Sequence, residues 1–475
     1  MPEIYPRISD VRKIFYKQQR QKNVIPEYAV LTNHLNLDIL RTRKALKHAK
    51  GAKQRELFTS QLHTLLDEKR LKDDSYLEEQ RQVIAGYIAH PKSNLRLETF
   101  TKGDKEYVTF NRRRRGITTF DRYVSLTLRK AFKTQTPGRD YIIRNVIDAL
   151  RVADSQKDIT RSIIKTDIEA FYENVTHSAL LRKIANNRKV PKFALHHVRA
   201  VLNAYLRFAD TDRGLPRGIP SSSILAEIYL EDLDNMILKD SRTVLYTRYV
   251  DDIVVILGDP EPQHLFSQVS CHLKNIGLKP RSDKTKMLSP MNMDQPSFDY
   301  LGYRFRFAPN TGANIAVDIS NSKKASYINA IDNLLSELSP GGSLCWGDMR
   351  PVRKFIDSYY YLAYPHVPKG DEDSHRIVSG LAYNARLVRG EPENLKNIEG
   401  VFKCLHNRLH KVLESDIGPD LETENCKCCG KPLPWIDELK ALFRDNLTWN
   451  KAKKKPARTH LEELRRNQIK EFLWK

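Results

Sequence analysis

Four residues, Tyr249-Val250-Asp251-Asp252, constrain this chain more than any other stretch. They separate two apolar runs, 243–248 and 253–257, rich in β-branched and aromatic side chains. Such runs predict two strands joined by a tight hairpin. A two-residue hairpin favours Asn-Gly or Asp-Gly, because its central residues need positive φ. Here a Val and two mutually repelling carboxylates take that place. Local rules broken at one spot mark function more often than architecture. Two aspartates on a rigid tip supply oxygen ligands for magnesium-dependent phosphoryl transfer. A solvated turn is the other reading of the same four residues.

The chain has 475 residues, and Lys plus Arg exceed Asp plus Glu by 80 − 58 = 22. With a pI of about 9.6, that surplus fits a polyanionic partner, most simply nucleic acid; a basic surface without a ligand is the alternative. No apolar run approaches the ~20 residues of a membrane span. The N-terminus shows no basic segment followed by an apolar one, so no signal peptide is expected. Six cysteines in so long a chain are not a disulfide framework. The expectation is a reduced, cytoplasmic protein with no membrane segment.

Over residues 1–100 apolar positions recur at helical spacing, as in Leu31, Leu35 and Ile39, and a long charged helix is expected over 52–80. A strand-like run at 107–110 leads into Arg112-Arg-Arg-Arg115-Gly116, then a helix over 123–132. The arginine run reads as phosphate-contacting or as a solvated turn. The stretch 162–167 reads as a buried strand ending at Asp167, followed by the pair Phe171-Tyr172. Gly214-Leu-Pro-Arg-Gly-Ile-Pro-Ser-Ser-Ser223 is a loop stiffened by proline. A helix follows over 222–238, with Leu225, Ile228, Tyr229, Leu233 and Ile237 on one face and serine hydroxyls available to cap it. Beyond the hairpin come an amphipathic helix ending near Ile276-Gly277, strands near 286–288 and 298–307, and mostly helix after 320. Breaks are expected at Pro340-Gly-Gly, 365–368 and Gly418-Pro-Asp, and a basic cluster stands at 451–455.

Three carboxylates stand out: Asp167 at a strand end, Asp251 and Asp252 on the hairpin. If those strands are neighbours, the acids converge where two magnesium ions, roughly 3.5–4 Å apart, can activate a hydroxyl and stabilise a leaving pyrophosphate. Substrate phosphates and waters complete the octahedra, so few protein ligands suffice.

The ordered set Asp167-Ile-x-x-Phe-Tyr172, Gly214-Leu-Pro-Arg-Gly-Ile-Pro-x-Ser-x-x-Leu-Ala226, Tyr249-Val-Asp-Asp252, Gly277-Leu-Lys-Pro-x-x-x-Lys284-Thr and Tyr300-Leu-Gly-Tyr303 resembles reverse transcriptases over roughly 100–310. The spelling Leu225-Ala-Glu-Ile-Tyr229 with Arg217 is most similar to bacterial enzymes of the abortive-infection and defence-associated "unknown group". It is less like retroviral, retron or group II intron enzymes. The resemblance implies an α+β, right-hand polymerase of fingers, palm and thumb. Its divisions would be a helical N-terminal extension over 1–100, fingers and palm over 101–310, a helical thumb over 311–400 and a helical C-terminal region over 401–475.

It also implies roles. Asp167 and Asp251 would be the main magnesium ligands, with the Ile168 carbonyl contributing and Asp252 supporting. Tyr172 would be the steric gate that excludes a ribose 2′-hydroxyl, and Phe171 core. Arg217 and Gly218 would line the nucleotide pocket, and Arg112 and Arg114 would hold the triphosphate. Tyr249 would lie under the primer end, and Leu301, Gly302 and Tyr303 would form the primer grip. Lys284 would protonate the leaving pyrophosphate. Most relatives carry Gln where Arg217 stands; arginine keeps donors, adds charge and removes the acceptor.

The implied activity is RNA-directed DNA synthesis from dNTPs with two Mg2+ ions, on an RNA template and yielding a DNA product. The implied setting is antiviral defence, with a dedicated structured non-coding RNA, a second protein or a homo-oligomer as partners. Rival readings are a template-independent or protein-primed DNA polymerase, an RNA-synthesising polymerase, a silent RNA-binding scaffold and an intron maturase. A weaker signal is Cys426-Lys-Cys428-Cys429-Gly, half of a zinc knuckle in spacing. His410, His406 or Cys404, Cys426 and Cys429 are the candidate Zn2+ ligands; free or buried cysteines are the alternative.

Overall fold

The helical periodicity of the first hundred residues becomes α1 (Ile8–Arg20), α2 (Pro26–His48) and α3 (Ala52–Ala89). The charged helix therefore runs nine residues past the expected end at 80. It holds no proline and a single glycine, Gly86, and Pro91 closes it, because a proline disfavours the helical region for the residue before it. Next come β1 (Leu97–Lys102), β2 (Lys105–Phe110), α4 (Arg115–Phe132), α5 (Arg139–Ser155), β3 (Ser162–Asp167), α6 (Phe171–Asn174), α7 (His177–Asn186), α8 (Lys192–Ala209) and α9 (Ser222–Lys239). Then follow β4 (Thr243–Tyr249), β5 (Asp252–Leu257), α10 (Gln263–Asn275), a 3-10 turn (Ser282–Lys284), β6 (Lys286–Leu288), β7 (Ser297–Tyr300), β8 (Tyr303–Arg306) and β9 (Ala316–Ile319). Last are α11 (Asn321–Ser336), α12 (Met349–Ala363), α13 (Leu381–Ala385) and α14 (Lys396–Asp416). The structure is a computed structural model. It describes residues 6–20, 26–102, 105–111, 115–134, 137–155, 162–288, 297–306, 315–336, 345, 347–364, 380–389, 395–416, 423–426, 429 and 431–433. The breaks expected at Pro340-Gly-Gly, 365–368 and Gly418-Pro-Asp, and the basic cluster 451–455, lie outside the described residues.

The chain forms two compact units: Met1–Thr136 with Glu169–Asn235 and His272–Lys279, and Pro137–Ile168 with Met236–Cys271 and Pro280–Lys475. In the first unit β1 and β2 form an antiparallel hairpin. A core of Leu95, Phe110, Ile117, Ala200, Val201, Ala204 and Ile219 packs this hairpin with α4 and α8. Its polar centre is Asp121, fully buried on α4. The Ser221 backbone N–H and hydroxyl donate to its carboxylate at 2.8 and 2.7 Å, and His197 Nε2 lies 2.9 Å away. A buried carboxylate is tolerable only when so paired. Ser222 donates to the Pro216 carbonyl at 2.6 Å, so these serine hydroxyls brace the 214–223 loop rather than cap α9. The five apolar residues expected on one face of α9 are all buried.

The second unit is built on an antiparallel sheet of order β4-β5-β3-β6. β3 is buried throughout its length and β5 nearly so, as Ile163-Ile164 and the apolar run 253–257 require of strands covered on both faces. β7, β8 and β9 form a second antiparallel sheet. The expected strand over 298–307 is thus two strands, split by a turn at Leu301-Gly302; β1 and β9 were not expected. One core joins both sheets to α5, α11, α12 and α14, with Phe298, Tyr300, Phe305, Phe355 and Tyr359 among its largest members. Rings of this size bury ~150–250 Å² each, at ~25 cal/mol per Å² of apolar area. Asp318 of β9, also buried, accepts from the backbone N–H groups of Asn397 and Ile398 at 2.8 and 3.0 Å. A carboxylate on the first turn of α14 satisfies orphan donors and favours the dipole there.

Candidate active site

Asp167 closes β3 and lies directly opposite Asp252, the first residue of β5. Because facing residues in an antiparallel pair share a face, Asp167, Asp252 and, two residues back, Lys165 point the same way. Asp251 sits in the intervening turn, and the Ile168 backbone N–H donates to its carbonyl at 3.0 Å. One register therefore gathers all three acids and Ile168 at one end of the sheet. Among the described residues, no three carboxylates bring one oxygen each within 4.8 Å of one another.

The turn itself is strained. Tyr249 pairs with Asp252, leaving Val250 and Asp251 as a two-residue loop, and Val250 takes φ 63°. A β-branched residue in the left-handed region is a genuine outlier, costing of order 1–3 kcal/mol. Arg248 Nη1 holds the bend by donating to the Val250 carbonyl at 2.9 Å. Such strain persists only where its surroundings over-determine it.

Each β-sheet aspartate faces an ammonium. Lys165 Nζ lies 3.0 Å from Asp252 Oδ1, with the two side chains 11% and 22% exposed. Lys284 Nζ lies 3.2 Å from Asp167 Oδ2, and Arg281 Nη1 4.0 Å from the same oxygen. Burial pushes the Asp252 carboxyl above the usual carboxylate range; Lys165 opposes this, while the charges of Asp167 and Asp251 add to it. Hard oxygen donors crowded with like charge are what a divalent cation relieves, so the donor set fits magnesium. Lys165 escaped the sequence reading. Its signal was a lysine directly after Ile163-Ile164 inside a buried strand, where an ammonium demands a partner.

In the first unit the Tyr172 side chain is half-buried and Phe171 fully buried, the two rings meeting edge to face at 5.8 Å. Arg217 lies over the Tyr172 ring, guanidinium carbon 5.2 Å from its centre. Its Nη2 and Nε donate to Glu173 Oε1 at 2.7 and 3.2 Å. The Leu215 N–H donates to the Tyr172 carbonyl at 2.7 Å and the Gly214 N–H to Val175 at 2.8 Å, so the 214–218 loop lies along the Tyr172 segment. Gly218 has φ 109°, and a Cβ there would come within 2.5 Å of the Val108 carbonyl. Only glycine fits that approach.

In the second unit Arg139 covers the Tyr249 ring at 4.6 Å. Leu301 and Gly302, φ 49° and 86°, form a hairpin turn with both central residues left-handed. Tyr303 is buried, and its hydroxyl donates to Asn384 Oδ1 at 2.8 Å; Lys323 Nζ donates to the same oxygen at 2.6 Å. Burial lowers the Lys323 ammonium to about 8, Arg139 adding to the effect and Asp140 opposing it. Arg112 and Arg114 lie outside the described residues, as does the His410 side chain. The structure brings Cys426 and Cys429 together, with Cys345 rather than His406 or Cys404 as the third member of the group.

Residues 114–305 match the model of the reverse transcriptase (RNA-dependent DNA polymerase) family. No curated protein sequence matches the chain. Among solved structures it is similar to telomerase from Candida albicans in complex with the TWJ fragment of telomeric RNA. That likeness has 12% identity and a TM-score of 0.43, over 78% of this chain and 67% of that one. It is also similar to a truncated apo telomerase from Candida tropicalis, at 13% identity and a TM-score of 0.36 over 48% of this chain. It spans 55% of that second chain. The strained acidic hairpin, its partner strand, the 214–223 loop and the basic Lys284 turn all fall inside the span that matches the family, so residues 114–305 carry a reverse transcriptase domain with an α+β polymerase fold.

Proposed function

We propose that the chain copies an RNA template into DNA, joining dNTPs to a primer hydroxyl at the Asp167, Asp251 and Asp252 end of the β3–β5 pair. The observation that carries the reading is the register that sets Asp167 opposite Asp252 with Asp251 in the adjoining strained turn. Asp167, Asp251 and Asp252, with the Ile168 carbonyl, would hold two magnesium ions. When bound these would lower the pKa of the attacking hydroxyl and steady the charge on the departing pyrophosphate.

Lys284, 3.2 Å from Asp167, would pass a proton to the leaving group. Lys165 keeps Asp252 ionised against burial. Tyr172 excludes the ribose 2′-hydroxyl, and Arg217, clamped by Glu173, holds the ring in position. Tyr249 and the Leu301–Tyr303 turn grip the primer, and the arginines at 112 and 114 take the triphosphate. In this reading 101–310 are fingers and palm, 311–400 the thumb, and the flanking regions accessory. The surplus of 22 positive charges supports binding of a structured RNA, and the setting is bacterial antiviral defence in the cytoplasm. No helix among the described residues is long and apolar enough to cross a membrane.

The test is RNA-templated primer extension with the purified chain and its Asp251→Ala, Asp252→Ala variant. Incorporation of dNTPs by the first and none by the second is expected; equal incorporation overturns the mechanism. Sequencing the nucleic acid that copurifies identifies the template, and a single recurrent RNA is expected.

A further inference from the structure

Cys345 converges in the second unit with Cys426 and Cys429, more than eighty residues further along the chain. Cys345 Sγ lies 3.8 Å from Cys426 Sγ and 3.3 Å from Cys429 Sγ, and all three sulfurs fall within 4.8 Å of one another. A disulfide needs ~2.05 Å, so no two of these are bonded. A tetrahedral zinc ion with Zn–S of about 2.3 Å spaces its sulfurs about 3.8 Å apart. The observed separations are of that size.

The backbone around the sulfurs is shaped for a ligand knot. Asn425 and Pro432 form an antiparallel bridge. The Cys426 N–H donates to the Lys431 carbonyl at 2.8 Å, and the Leu433 N–H to Glu424 at 2.9 Å. Residues 424–426 and 431–433 thus pair antiparallel, with Cys426 on the first arm, and the Lys431 amide hydrogen-bonds to Cys429. Gly347, two residues after Cys345, presses against the two cysteines: a Cβ there would collide with Cys429 Sγ and come within 3.2 Å of Cys426 Cβ. Cys426 is buried and belongs to the core of the second unit, with Cys345 packed against it.

We propose that Cys345, Cys426 and Cys429 bind a structural zinc ion as thiolates. The ion staples the paired residues 424–426 and 431–433 to the turn that opens α12, where the Asp348 N–H donates to the Cys345 carbonyl at 2.9 Å and the Asp348 carboxylate accepts from the Arg350 N–H. The staple closes a loop of 81 residues, of the length whose closure most restricts the unfolded chain. It fixes the entry of α12 into the core through Val352, Phe355 and Tyr359. Binding releases protons from the thiols, as thiolate ligation requires.

The experiment is elemental analysis of the full chain, purified without chelator or metal-affinity resin. About one zinc per chain is expected, released by a mercurial that titrates thiols. Zinc K-edge absorption should show at least three sulfurs at about 2.3 Å. Cys345→Ser should lower the content at least tenfold, while Cys404→Ser, His406→Ala and Cys271→Ser leave it unchanged. The Asp251→Ala, Asp252→Ala variant should also keep its zinc, which separates this site from the polymerase reading. Zinc well below one equivalent in the wild-type chain, a first shell without sulfur, or full retention in Cys345→Ser overturns the proposal. The absorption measurement on the wild-type chain decides even if the serine variant fails to fold.

Discussion

Replacing Lys165 by Met tests how the acidic centre is kept charged. The Lys165–Asp252 pair is 3.0 Å long and mostly buried, with 11% and 22% side-chain exposure. Coulomb's law at an effective dielectric of about 20 gives roughly 5 kcal/mol for unit charges at that distance. Breaking a buried pair typically costs about 3–5 kcal/mol because one charge stays behind. With that opposing ammonium gone, the Asp252 carboxyl should be pushed further above its already raised position by burial and by the charges of Asp167 and Asp251.

The sign follows from linkage. Asp252 titrates above its unfolded value, so its contribution to stability is full below about pH 4 and is lost as pH rises through the folded pKa. Without Lys165 that loss should extend to higher pH, and magnesium should restore more stability to the variant than to the wild type. The assay is the pH profile of single-nucleotide incorporation, run beside urea unfolding with and without magnesium. The acid limb of the profile should move to higher pH in Lys165→Met and return in Lys165→Arg. An unmoved acid limb in a folded Lys165→Met chain would refute the reasoning.

Other outcomes follow from the same geometry. Tyr172→Ala should narrow the preference for dNTP over NTP at least tenfold, read as the ratio of kcat/KM values. Arg217→Gln should narrow it less, since an exposed cation–π contact and ion pair are each worth ~1 kcal/mol or below. Gly218→Ala meets both a φ of 109° and the Val108 carbonyl, so it should lower unfolding free energy by more than ~1 kcal/mol, seen as a reduced urea midpoint. Asp121→Ala strips His197 and Ser221 of their buried acceptor and should cost roughly 3 kcal/mol by the same measurement. Lys323, lowered to about 8 by burial, opposes folding most below that pH. Stability should therefore climb between about pH 8 and its unfolded value near 10.4, and Lys323→Met should flatten the climb.

The α+β fold was legible because β4 and β5 are short runs rich in β-branched and aromatic residues and because α9 repeats its apolar residues every three to four positions. The acidic hairpin was legible through the turn chemistry it violates: Val250 at φ 63° is the strain implied by the missing Asn-Gly. The rest depends on long-range pairing that no local pattern encodes. Lys165 acquires meaning only once β5 lies beside β3, and Asp121 once α8 and the 214–223 loop meet α4. Cys345 is 81 residues from Cys426, so spacing alone pointed to the histidines of α14, which lie nearer in the chain. The turn at Leu301-Gly302 hid inside a continuous aromatic run because Leu301, at φ 49°, is not a residue that announces left-handed backbone.

The central claim is that the strained hairpin and Asp167 form one nucleotidyl-transfer centre. Incorporation of a single dNTP on an RNA template, measured for the wild type and for the Asp167→Ala and Asp251→Ala variants at saturating magnesium, tests it most directly. Both variants should fold, bind RNA with unchanged affinity and lose at least a thousandfold in rate. Incorporation within tenfold of wild type by either variant would contradict the account.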